Sequence, residues 1–399
     1  MLRIDNATLK ARVREVEADI EREKLDALVV FAQGSALGST SKMHGYMRFL
    51  CNYDGHNTPA MLILRPGRDP VLVTAINAFL MRLQTRELLW FKDVRIVKPH
   101  LMGEEVVAVL AHKGAAPLRV GYIGYNETPA PVWKSLEKGL PKTEWVDFAP
   151  FIDRRRVQKG DIELAFHRRA GEICDAMFQT VAREIRTGKK GYQIQAAMEQ
   201  TARSEGCEYC ITWFTVAPRA DYPRFYKEEC VRVPQEGDQV IAGIYLTYDG
   251  HWGHAIRTGT VGKPTDDHRR IYDIAREMED TGLSCLRPGD DLYEVNASMI
   301  RVLHKYYKDG EVEYSRPGHG LGYSYEDPVV SLAFPQPWEV KGPPQERPQA
   351  IPLKPGMLME FHPHVFVPGV AGGVVGDMVA VTESGYEILT QYPRELLTW

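Results

Sequence analysis

Apolar residues recur at helical spacing under a coat of Arg, Lys and Glu across residues 7–24 (Leu9, Val13, Val16, Ile20), which predicts an amphipathic helix. A short apolar run at 25–31 reads as a strand, and Gly34 and Gly38 punctuate its exit. Two further apolar runs, 61–64 and 71–74, flank the turn residues Pro66, Gly67, Arg68 and Asp69, a hairpin signal. A strand at 119–123, a helix near 131–138 and a strand at 145–147 follow. This alternation predicts a small α/β domain that closes near residue 150.

The basic run Arg154, Arg155 and Arg156 with Lys159-Gly160 marks a junction, and the register then changes. Long amphipathic helices are predicted over 161–186 and 191–205, with others near 266–282 and 289–307. Between them, 237–248 reads as an apolar strand, Asp249-Gly250 as a tight turn, and 251–258 as the return strand. Strands return around 357–367 and 374–382. Helices and hairpins in separate runs predict an α+β domain, so the chain is expected to divide into 1–155 and 156–399. Residues 331–352 carry six prolines and no period, and a lid is expected there.

Composition narrows the classes. A chain of 399 residues with 44% hydrophobic and 26% charged residues has ample material for two cores. A net charge of −4 gives no electrostatic argument for nucleic acid or an anionic membrane. No apolar run reaches the roughly 18 residues that span a bilayer, and the polar start, Met1 to Asn6, lacks a signal-peptide core. A cytoplasmic protein is expected. Its six cysteines are scattered, and Cys207-x-x-Cys210 has no second pair, so reduced structural thiols are expected.

Four separated segments carry the candidate chemistry: His251 and His254 past the Asp249-Gly250 turn, His319 within Gly318-His319-Gly320-Leu321-Gly322, Glu360, His362 and His364 on one strand, and Asp377 after Gly376. Glu360 sits among Met357, Leu358, Met359 and Phe361, so its carboxylate must be paired or have a raised pKa, which suits a general acid or base. His362 and His364 are expected to share a face with Glu360, since positions two and four apart on a strand point the same way. Arg224 or Arg219 offers a charged fork for a substrate carboxylate. Trp252 and Tyr323, with Tyr222, Phe225 and Tyr226, are expected as a group to line the pocket.

These segments, in this order and spacing, resemble the pita-bread family of methionine aminopeptidase, prolidase, aminopeptidase P and creatinase. Lys159-Gly160-Asp161-Ile162-Glu163 resembles the family's entry to its first long helix, and 237–258, 318–322, 356–360 and 381–385 match its later motifs. The resemblance implies an α/β N-terminal domain followed by an α+β pita-bread domain. The family's peptidases hold two divalent metals with two Asp, one His and two Glu. Carried over residue by residue, those places fall on Gly243, His254, His319, Glu360 and Gly376. Two glycines and one changed type argue against a dinuclear peptidase.

The resemblance is nearest in type to the metal-free creatinase branch, which implies a hydrolase cleaving a C–N bond in a small carboxylate-bearing nitrogen compound. His319, Glu360 and His254 are the expected catalytic groups, with Arg224, Arg219, His251, His362, His364, Asp377, Tyr323, Trp252 and His56 around the substrate. No cofactor is expected. The alternative is one divalent metal on His254, His319 and Glu360, serving a lyase or decarboxylase; another is a Xaa-Pro peptidase-like protein without peptidase activity. Creatinase's catalytic glutamate is absent here, since Ala255-Ile256-Arg257 replaces Leu-Glu-Arg, and the family's second histidine falls at Glu326. The resemblance also implies a homodimer in which the segment 51–59, with His56, reaches the partner's site.

Overall fold

The computed structural model describes residues 3–34, 43–77, 79, 81–111, 118–336 and 349–399. Most of the expected lid, 337–348, lies outside the described residues, as does Gly38. The chain forms two compact units: Met1–Arg156 with Tyr323–Tyr325, and Val157–Gly322 with Glu326–Trp399.

The first unit runs α1 (Asn6–Arg22), β1 (Ala27–Gln33), α2 (Met43–Cys51), β2 (Pro59–Arg65), β3 (Arg68–Thr74), β4 (Asp93–Ile96), α3 (Met102–Leu110), β5 (Arg119–Ile123), α4 (Ala130–Gly139), β6 (Glu144–Asp147) and α5 (Ala149–Arg156). Asp5 starts α1 by accepting from Thr8 N, and Leu9, Val13, Val16 and Ile20 are its buried stripe. The six strands form one mixed sheet, ordered β4-β3-β2-β1-β5-β6. Val29, Phe31, Met61, Ile63, Val71 and Val73 pack one of its faces with Val106 and Leu136 of α3 and α4. The basic run is the last turn of α5, where cations suit the helix C-terminus. Arg155 pairs there with Glu15 and Asp19 of α1.

The second unit opens with α6 (Asp161–Glu184) and α7 (Gly191–Ser204), followed by β7 (Tyr209–Ala217), β8 (Gln239–Tyr248) and β9 (His251–Thr260). Then come α8 (Asp266–Ser284), α9 (Leu292–Tyr306), β10 (Gly318–Gly320) and α10 (Pro328–Ser331). The chain ends with β11 (Leu358–Phe361), β12 (His364–Val367), β13 (Ala371–Val374), β14 (Asp377–Val381), β15 (Tyr386–Ile388) and β16 (Leu397–Thr398). Two four-stranded sheets, β16-β9-β8-β7 and β10-β11-β14-β15, and the ribbon β12-β13 make the strand layer. This is an α+β layer arrangement, following a first unit built on one mixed α/β sheet.

The β8–β9 turn has positive φ at both Asp249 (47°) and Gly250 (76°), the geometry of a type I′ hairpin. The helices α6 and α7 cover one part of the strand layer with Ile173, Met177, Phe178, Ile194 and Met198. Helices α8 and α9 cover another with Ile271, Met278, Val295 and Met299. Fully burying one such side chain contributes about 1.5–3 kcal/mol, so these two helix layers hold the sheets in place.

The expected strand at 357–367 is two elements, whereas that at 374–382 is β14 over Asp377–Val381. Pro363 lacks the N–H that a ladder needs, so β11 ends at Phe361 and β12 belongs to the separate ribbon. Val375-Gly376 lies outside regular strand, and Gly376 instead exchanges two backbone hydrogen bonds with Ile256 of β9, at 2.9 and 3.1 Å. That exchange ties the two sheets together at the site.

Candidate active site

Three elements of the second unit bring the site together. His319 of β10 is paired directly with Glu360 of β11 across the antiparallel ladder, so both side chains leave the same face. His254 enters from β9. Its Nδ1 lies 3.2 Å from Glu360 Oε2. His319 Nε2 is 3.8 Å and His362 Nε2 3.4 Å from the same oxygen. The three imidazoles surround this carboxyl with ring centres 5.1–5.5 Å apart. His362 reaches Glu360 although Pro363 interrupts the strand, and its Nδ1 lies 3.1 Å from Nδ1 of His364. Two ring nitrogens at that distance share one proton, so one donates and the other accepts.

His319 Nδ1 lies 3.0 Å from the Gly320 carbonyl. A carbonyl only accepts, so the proton sits on Nδ1 and the lone pair on Nε2 faces Glu360. His254, His319 and Glu360 are each at most 1% exposed. Burial pushes the Glu360 carboxyl well above its usual range; Glu279 and Asp377 add to this, against the charges of Arg257 and Arg316. Burial likewise holds His254 and His362 well below theirs, with neighbouring histidines and Arg316 in support.

Several other expected site residues are elsewhere. His251 sits three positions from His254, and alternation along β9 turns it to the opposite face. There it stacks on Phe166 of α6 at 4.6 Å and meets His167 edge-on at 5.1 Å. Asp377 does not face the imidazoles. A fully buried carboxylate needs compensation, and it finds it in Arg257 at 2.6 Å, Arg394 at 2.8 Å and Thr390 at 2.5 Å. Burial works against its charge, but these partners outweigh that and lower its pKa.

Arg224 stacks on Tyr222, 4.1 Å from the ring centre, and Arg219 is exposed. Among the described residues the ion-pair partners of Glu360 are His254, His319 and His362, not either arginine. Tyr222, Phe225 and Tyr226 are exposed. Trp252 packs edge-on against Tyr209 at 5.6 Å. Tyr323 belongs to the first unit, where it packs on Phe49 and accepts from Arg12. His56 is an exposed turn residue whose N–H donates to Asp54 Oδ1 at 2.7 Å.

Two residues of the site were invisible to motif spacing. Arg316, 7% exposed, precedes β10 and pairs with Glu326. Trp213 of β7 lies opposite Gly243 of β8. A Cβ on Gly243 would be 1.8 Å from the indole Nε1 of Trp213. A Cβ on Gly376 would be 2.5 Å from Glu360 Oε1 and 2.9 Å from Ile256 N. Both positions lack a side chain, and the room for one is already taken.

The profile of metallopeptidase family M24 matches residues 165–383, and that of the creatinase/prolidase N-terminal domain matches 12–158. The chain belongs to metallopeptidase family M24. Among M24-type relatives, an uncharacterized hydrolase/peptidase of Sinorhizobium fredii is 24% identical over 96% of this chain and 95% of its own. A Xaa-Pro dipeptidase of Pyrococcus furiosus is 26% identical over 61% of this chain and 65% of its own. Among solved structures, the prolidase from Pyrococcus horikoshii superposes with a TM-score of 0.78 at 19% identity, covering 97% of this chain and 100% of that one. Aminopeptidase P of Escherichia coli gives 0.72 at 19%, covering 97% and 95%. These structures share the M24 fold with the chain.

A dinuclear M24 centre does not fit these residues: Trp213 and Glu360 fill the space at Gly243 and Gly376. One divalent ion does fit. Ligand atoms of His254, His319 and Glu360 all lie within 4.8 Å of one another, and both Glu360 oxygens are buried without a hydrogen-bond partner among the described residues. The Nδ1–H to carbonyl bond of His319 is the usual support of a ligating imidazole.

Proposed function

We propose that this M24 protein is a hydrolase that cleaves a C–N bond in a small, carboxylate-bearing nitrogen compound, and that it is not a dinuclear peptidase. The observation that carries the reading is the filled space at Gly243 and Gly376, beside an intact cluster of His254, His319, His362 and Glu360. In the reaction, water oxygen bonds to the carbon, the C–N bond breaks, and the nitrogen leaves with a proton. An unprotonated imidazole nitrogen takes the proton from the attacking water. The Glu360 carboxyl, kept protonated by burial, gives one to the leaving nitrogen and regains it from the adjacent imidazolium. His319, fixed by Gly320, orients the group it faces. Burial of Glu360, His319 and His362 excludes bulk water from the intermediate.

The donor set also favours a second reading, in which His254, His319 and Glu360 hold one divalent ion. When bound, such an ion would act as a Lewis acid toward a substrate oxygen or water. That reading extends to a lyase or decarboxylase. We also propose that the chain is a homodimer, with the segment 51–59 near the partner's site, a state that light scattering on the purified protein reads directly.

The test combines elemental analysis with turnover. Purified protein is assayed on N-acyl, ureido and guanidino acids and on Xaa-Pro dipeptides, with EDTA and with added Mn(II), Co(II) or Zn(II). Hydrolysis of the former class without Xaa-Pro cleavage supports the proposal. Metal-stimulated Xaa-Pro cleavage overturns it. Activity that survives EDTA selects the metal-independent form, and about one tightly held ion per chain selects the second.

A further inference from the structure

Arg316 is buried and half-satisfied. Its Nη2 donates to Glu326, whereas its Nε is buried and meets no acceptor among the described residues. Leaving a buried donor without an acceptor costs about 1–3 kcal/mol, and more on a charged group. A guanidinium can only donate, so an oxygen-bearing ligand is what would complete it.

Arg316 lies beside the histidine cluster, close enough for its charge to act on His254, Glu360 and His362. Ser315 Oγ lies 3.2 Å from His364 Nδ1, and the Pro317 carbonyl accepts from His362 N at 2.8 Å. Arg316 is therefore held between two residues that each touch the cluster. A second donor is in the same condition. The Trp213 indole, whose ring stacks on that of His364 at 6.3 Å, has a buried Nε1 with no acceptor among the described residues. Two unsatisfied donors, one of them permanently charged, border an otherwise neutral group of imidazoles. That combination suits a carboxylate over an amide.

We infer that Arg316 recognises the carboxylate of the substrate, with Glu326 steadying its guanidinium and the Trp213 indole N–H adding a donor on the same cluster. This rests on the small-carboxylate reading above and sets Arg316 beside Arg224, whose Nη1 is likewise buried with no acceptor among the described residues. The Glu326 carboxylate offsets the buried guanidinium charge.

The probes are N-acetylglycine and N-acetylglycinamide, which differ in the carboxylate, titrated calorimetrically with and without EDTA so that coordination by a metal ion is read separately. The wild type should bind the anion at least about ten-fold more tightly, the size of one charged hydrogen-bonding contact. Arg316→Gln should erase that preference while leaving the affinity for the amide unchanged. Arg316→Lys, which keeps the charge but loses the fork, should retain part of it, and Glu326→Gln should keep it. A merely structural arginine would weaken both probes alike. Absence of the preference in the wild type, or its survival in Arg316→Gln, overturns the inference. Should that variant fail to fold, an undiminished preference in Arg316→Lys does so. Binding is read without turnover, so a preference that behaves as stated in a protein with no C–N hydrolysis overturns the hydrolase reading alone.

Discussion

Trp213 occupies the space that a side chain at Gly243 would need. The indole Nε1 would be 1.8 Å from a Cβ at that position, and Trp213 is itself 1% exposed, packed between Phe225 and His364. The strand pairing of β7 and β8 sets the two residues opposite each other, so a side chain at Gly243 and the indole of Trp213 compete for one space.

Restoring the family carboxylates one at a time should therefore fail. Gly243→Asp must displace a buried indole and bury a new charge. Overpacking alone costs typically about 1–3 kcal/mol, and an unpaired buried carboxylate adds to it. Urea unfolding should show a loss of at least that size, and elemental analysis should show no second metal ion. The double variant Gly243→Asp/Trp213→Ala should recover part of the stability.

Glu360→Gln should abolish most of the activity with little loss of stability. General acid–base groups contribute typically 10²–10⁴-fold, so a kcat drop in that range is expected. The buried carboxyl makes no hydrogen bond among the described residues, so its isosteric amide should leave the melting temperature unchanged or higher. His251→Gln is the control: its ring lies on the opposite face of β9, and kcat should stay within about two-fold of wild type by that separation.

Asp377→Asn should act oppositely, through stability. Asp377 and Arg257 are both fully buried and paired at 2.6 Å, with Arg394 on the other carboxylate oxygen. Breaking a buried pair by neutralising one partner costs about 3–5 kcal/mol. Urea denaturation should show it, and the matched Asp377→Glu should recover only part because the cavity is closed around Thr390.

Acid should destabilise the second unit through His167. Burial, reinforced by Lys159 and opposed by the hydrogen bond to the Trp252 carbonyl, pushes this imidazole down to about 3. Above the ordinary histidine pKa near 6.5 both folded and unfolded chains hold it neutral. As pH falls from there toward 3, the unfolded chain takes up a proton that the folded chain refuses. Stability is then lost by up to about 1.4 kcal/mol per pH unit from this group. His167→Gln, which keeps a donor for Trp252, should flatten the slope of unfolding free energy against pH between 6 and 4; an unchanged slope would contradict the assignment.

The sequence determined more of the fold than of the site. The stripe Leu9, Val13, Val16 and Ile20 and the positive-φ pair Asp249-Gly250 are local matters, settled by spacing and backbone preference, and α1 and the β8–β9 hairpin follow from them. The motif order placed His254, His319 and Glu360 in one cluster and flagged Gly243 and Gly376 as lost ligands. What spacing could not show was which way side chains turn and what else fills the space. Strand alternation removed His251, charge compensation by Arg257 and Arg394 removed Asp377, and Pro363 broke the strand on which His362 and His364 were expected. Trp213 and Arg316 carry no motif. They matter because β7 is paired with β8 and because β10 lies against β11, contacts between segments far apart in the chain. Local chemistry is written in neighbouring residues, but burial and the pairing of charges are properties of the packed chain, and only the tertiary structure decides them.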